Sequence, residues 1–180
     1  NIMATKRLDF SASQNMPELN FVDQRSGAKT KVYNFADAGG RVVRIFEELG
    51  DENEFSDVET DDPENSIVDA GFDQYVMARW SQLLAGRTIE MDFLALTRAQ
   101  YIGFELKPIE SEKAEKKGLM ILSLQPSNFL IRLVMDPIIL SYDLETMRLL
   151  RFEGLTNIER VNKGKGLGEN YIARIEYSYP

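Results

Sequence analysis

Alternation of apolar and polar side chains with a period of two runs through most of the chain and predicts strands. Ile89, Met91, Phe93 and Ala95 fall on one side of residues 89–95, opposite Glu90 and Asp92. Ile102, Phe104 and Leu106 repeat the pattern in 101–108, as do Met120, Leu122 and Leu124 in 119–125. Residues 171–179 place Tyr171, Ala173, Ile175, Tyr177 and Tyr179 on one face. Residues 138–142 and 147–152 flank a turn at 143–146 and read as a hairpin. Upstream, 29–35 and 41–47 flank Ala36-Asp37-Ala38-Gly39-Gly40, a second hairpin signal. Val42, Ile45, Phe46 and Leu49 also satisfy helical spacing, but the β-branched residues and the glycine turn favour a strand. Residues 1–26 are polar and irregular, with a short strand at 4–10.

One segment has the helical period. Phe72, Tyr75, Val76, Trp80, Leu83 and Leu84 define a single apolar face over 69–84, with Asp69 as the expected N-cap and Gly86 as the stop. Arg79 lies near the middle of that face. It either packs its stem and pairs its guanidinium or sets a cation at the mouth of a cavity. Residues 127–135, Ser-Asn-Phe-Leu-Ile-Arg-Leu-Val-Met, fit a short helix or a bent strand. Residues 51–64 hold eight acidic groups and no basic one, which predicts a solvated acidic loop. An EF-hand is excluded there because the central glycine is missing.

Eight or nine strands joined by short links are expected to pair as antiparallel neighbours. The predicted fold is mostly β (α+β), a curved antiparallel meander forming an incomplete barrel, with one long helix packed on its concave face. A chain of 180 residues suits a single domain, 1–180.

Composition narrows the chemistry. There is no His and no Cys, which removes thiol nucleophiles, imidazole bases and nearly all zinc sites, and no cofactor is expected. A net charge of −8 without a basic stripe opposes nucleic-acid binding. The most basic stretch, 107–117, is interleaved with Glu110, Glu112 and Glu115 and reads as a hairpin tip. No run approaches the roughly 18 apolar residues of a membrane-spanning helix. Glu90 and Asp92 share a strand face that should be solvated, while Asp136 and Asp143 flank a strand too far apart for paired acid chemistry. Gly164-Lys165-Gly166-Leu167-Gly168 lacks the spacing and following helix of a phosphate loop and reads as a turn.

The apolar inventory is the remaining candidate. Phe93, Phe104, Leu122, Leu133 and Met135 from the strands, with Tyr75, Arg79 and Trp80 from the helix, would face one interior. That interior is a packed core or a cavity for an apolar ligand, and periodicity gives the same signal for both.

Asp69-Ala70-Gly71-Phe72-Asp73, Pro137-Ile138-Ile139-Leu140-Ser141-Tyr142-Asp143 and Phe152-Glu153-Gly154-Leu155-Thr156-Asn157-Ile158 together resemble a group of uncharacterised proteins from Gram-negative bacteria. No activity comes with that resemblance, so no catalytic residue carries over. The layout of a curved sheet crossed by a helix is similar to periplasmic lipoprotein carriers (half-barrel proteins). That likeness implies a non-enzymatic, periplasmic or envelope-associated protein that shields a lipid or other apolar ligand and makes peripheral contact with the cell envelope. The alternatives are a solid-core structural or protein-interaction module, in the envelope or the cytoplasm, and a carboxylate-based enzyme.

Overall fold

The computed structural model describes residues 2–37, 40–162 and 166–179. Parts of the 36–40 turn and of the 162–168 tip, including the glycine-lysine run at 164–165, lie outside the described residues.

The chain is mostly β, in two open sheets. Five strands follow one another as an antiparallel meander: β1 (Ala4–Asp9), β2 (Glu18–Asp23), β3 (Lys29–Asp37), β4 (Gly40–Leu49) and β5 (Glu52–Thr60). The second sheet contains β6 (Ser66–Ile67), β7 (Ile89–Ala95), β8 (Gln100–Ile109), β9 (Leu119–Pro126), β10 (Ile138–Asp143), β11 (Leu149–Asn162) and β12 (Gly166–Glu176), ordered from β12 down to β6. The short β6 pairs with β7 in parallel, an exception to the expected antiparallel meander. Neither sheet closes into a barrel. The chain divides into two compact units built from discontinuous segments, 1–75 with 92–102 and 161–167, and 76–91 with 103–160 and 168–180.

In the first unit the core is the inner face of the meander. Leu19, Val32, Val43, Ile45 and Val58 are buried together with Met16, Val68 and Leu94. The ladder joins Leu19 to Val32, Val32 to Ile45 and Val43 to Val58, so directly opposed residues fall on the same side. Val42, Ile45, Phe46 and Leu49 therefore belong to a strand, and their helical spacing is coincidental.

The acidic segment is corrected by the same ladder. Residues 52–60 form edge strand β5 instead of a loop, with Val58 buried. The carboxylates stay in water, and Asp57 accepts two 2.7 Å hydrogen bonds from Arg44 of β4. A charged edge of this kind resists pairing with another chain. Strand β2, in the segment expected to be irregular, is a second correction.

The expected single helix is also two. Helix α1 covers Gly71–Ala78 and α2 covers Trp80–Leu84, separated by Arg79 at φ −111°, ψ 14°. Periodicity registers which side chains are buried and is blind to one residue leaving the helical region. Asp69 departs from a helix cap. Its carboxylate takes Lys6 Nζ at 2.8 and 2.9 Å and the Ala70 amide at 2.8 Å. The start of α1 is set instead by contact with the N-terminal segment, because a Cβ on Gly71 would lie 1.8 Å from the Asn15 carbonyl oxygen. That oxygen also accepts the Val68 amide at 3.0 Å.

One turn design joins β2 to β3 and β10 to β11. In each an aspartate backbone amide donates 2.9 Å across the turn, from Asp23 to Ala28 and from Asp143 to Arg148. The fifth residue of each turn has a left-handed backbone, Gly27 at φ 78° and Met147 at φ 55°. Both aspartates hold the turn with their side chains. Asp23 Oδ1 accepts from the Arg25 amide at 2.8 Å, and Asp143 Oδ1 from the Thr146 amide at 2.7 Å. The Arg25 guanidinium lowers the Asp23 carboxyl, and the Thr146 amide lowers that of Asp143, below the ordinary carboxylate value.

Two outcomes follow for stability. Gly71→Ala should lower the denaturant midpoint by an amount worth about 2–3 kcal/mol, at unchanged slope, because backbone must move to admit the methyl group. Carboxylates with depressed folded pKa values contribute stability that is present above about pH 4 and lost as pH falls through the lower folded values. Asp143→Asn keeps an acceptor oxygen but cannot titrate, so urea midpoints measured against pH should fall less steeply in acid than those of the wild type.

Candidate functional site

The inner face of the second unit is built by register. Leu106 opposes Leu124, Pro108 opposes Leu122, Leu140 opposes Leu122 and Tyr142 opposes Met120. These pairs put the apolar rows of β8, β9 and β10 on one side. Helix α2 packs there, with the Trp80 ring edge-on to Tyr142 at 5.8 Å between centroids. Such a pairing adds to the area that both rings remove from water.

The structure separates the eight candidate ligand residues. Tyr75 and Phe93 belong to the first unit, where Tyr75 is buried and its hydroxyl donates to Asn65 Oδ1 at 2.9 Å. Phe93 is half-buried on β7, and Arg79 is half-buried at the break between α1 and α2. Trp80, Phe104 and Leu122 are buried in the second unit. Leu133 and Met135 follow helix α4 (Phe129–Arg132) in the link from β9 to β10, where Met135 is half-buried. Leu133 is 66% exposed and is corrected from an interior to a surface position. Tyr177 is likewise outward, lining a shallow cleft of about 250 Å³ with Leu119, Ser141, Leu150, Arg151 and Glu176. Arg151 is paired in that cleft with Glu153 at 3.7 Å and Glu176 at 3.5 Å.

The interior part of this set is tightly covered. Leu122 and Tyr142 have 0% of their surface open, and Leu140 has 1%. Side chains lining a void as wide as an acyl chain would keep surface that a water-sized sphere can touch. These side chains pack on one another and on neighbouring protein atoms.

The β9–β10 link shows the opposite. Phe129, Leu130, Leu133 and Val134 are 69%, 71%, 66% and 86% exposed, four large apolar side chains within six residues. They sit at i, i+1, i+4 and i+5 around one helical turn, so they share one outer surface. Asn128 caps α4, its Oδ1 accepting the Leu130 amide at 2.8 Å. Arg132 points back toward the sheet. Its Nε donates to the Pro126 carbonyl at 2.6 Å and its guanidinium pairs with Glu105 of β8 at 2.9 Å. The apolar run of 127–135 was visible in the sequence, but its outward direction was not. A charged residue in the middle of the run is the signal that could have shown it, since Arg132 must reach a polar partner.

A polar cluster in the first unit escaped the sequence reading. Thr60 and Ser66 hydroxyls lie 2.6 Å apart, and Ser66 Oγ donates to the Asp62 carbonyl at 2.8 Å. Burial pushes the nearby Tyr101 hydroxyl up to about 12. At ordinary pH it is a neutral phenol, suited to holding β8 in place and not to acid–base work. Among the described residues no group of three or more acidic side chains is arranged to hold a metal ion.

No protein-family model, curated protein or solved structure matches the chain.

Truncating Leu122 distinguishes packing from a cavity. Leu122→Ala should cost about 2–5 kcal/mol in chemical denaturation, as for a side chain removed from a filled core. A loss below about 1 kcal/mol would indicate that space already existed beside it.

Proposed function

We propose that this protein is a non-enzymatic binding protein that works through the apolar tip of its β9–β10 link, at the cell envelope. The single observation carrying the proposal is the outward surface of Phe129, Leu130, Leu133 and Val134. Single exposed apolar residues are common on protein surfaces, but a contiguous cluster marks an interaction site. Burying each such side chain is worth about 1.5–3 kcal/mol, so four can support binding after the cost of association. The clamp at Arg132 holds the tip in one shape before a partner arrives, which reduces that cost.

An acyl chain held between sheet and helix is the competing proposal, and it carries with it the half-barrel with a long helix along its concave face. It needs open space beside Leu122, Leu140 and Tyr142. The coverage of those side chains favours the surface instead.

Replacing Leu130 and Val134 together by Ser should shorten retention on a phenyl matrix at moderate salt. Because both side chains are largely in water, unfolding stability should stay within about 0.5 kcal/mol of the wild type. Unchanged retention would remove the tip as the working surface.

A further inference from the structure

We infer that the partner of this tip is an uncharged lipid surface, into whose outer acyl region Phe129, Leu130, Leu133 and Val134 insert; this rests on the tip being the working surface. Three features separate lipid from a protein partner. The first is charge. Arg132 is the one charged residue in 127–135, and it is drawn back to Pro126 and Glu105. The tip can therefore leave water without burying an ion, the largest cost of entering hydrocarbon.

The second feature is the use of polar groups. Asn128 Oδ1 is occupied by the Leu130 amide. The Arg132 amide donates to the Asn128 carbonyl at 3.1 Å, and the Val134 and Met135 amides donate to the Ile131 carbonyl at 3.1 and 3.0 Å. The Ser127 amide donates to Gly103 of β8 at 2.8 Å. A protein interface ordinarily supplies about one hydrogen bond per 100–200 Å². These groups are already engaged within the unit, the condition that a lipid environment imposes.

The third is area. The exposed parts of the four side chains amount to roughly 500 Å², short of the ~800 Å² that each partner buries in a standard protein interface. A second copy of the chain meeting the tip alone would thus be a weak dimer. Insertion into lipid has no such threshold, since its strength grows with the apolar area buried. The net charge of −8 then selects the lipid: anionic headgroups repel the chain and zwitterionic ones do not.

The full chain is tested by flotation with phosphatidylcholine vesicles. We expect it to float with them, and Phe129→Ser/Leu133→Ser to lower the partition coefficient about tenfold or more, at unchanged near-ultraviolet circular dichroism. Adding anionic lipid should weaken binding at low ionic strength, and salt should restore it. Failure to float, or flotation indifferent to the substitutions, overturns the lipid assignment. If retention on a phenyl matrix still depends on the tip, the surface role stands while its partner is not lipid. Tip-dependent dimerisation in sedimentation equilibrium would assign the tip to a second copy and equally overturn the lipid proposal.

Discussion

A β-ladder holds its strands by the backbone and lets only every second side chain leave water. Each apolar row in this protein depends on that constraint. Leu19, Val32, Ile45 and Val43 are buried because register places them on one side of the meander, and Leu106, Leu122, Leu124 and Leu140 because register does the same in the second unit. The link between β9 and β10 departs from the ladder for eleven residues, 127–137, and with it from any opposing face. Its hydrophobic side chains have no row to join. Clamped by Arg132 and capped by Asn128, they remain outside.

Much of the strand layout was legible in the sequence. The alternation over 89–95, 101–108 and 119–125 corresponds to β7, β8 and β9, and the hairpin at 138–152 to β10 and the start of β11. The misses have physical causes. The acidic β5 is held by its ladder to β4 and by Arg44, a pairing that composition does not reveal. Strand β2 is short and contains little alternation. The helical face continued through Arg79 because apolar spacing does not report a single non-helical residue.

The candidate site was legible in content and illegible in direction. Trp80, Phe104 and Leu122 were chosen as apolar and are buried, yet their neighbours leave Leu122 no open surface. Leu133 was chosen by the same criterion and faces water. Hydrophobicity states that a side chain gains by burial; it does not state whether the covering atoms come from this chain or from something else. That distinction appeared only when the Arg132 partners were known, since they fix which way the link turns.

The central claim is that the apolar surface available for binding lies on the link and not inside the sheet. Hydroxyl-radical footprinting of the full chain, read residue by residue, tests it most directly, because oxidation follows contact with solvent. The account predicts heavy labelling of Phe129, Leu130 and Leu133, with Leu122, Leu140 and Tyr142 protected until the protein unfolds. Protection of the link together with labelling of Leu122 and Tyr142 in the folded protein would contradict it.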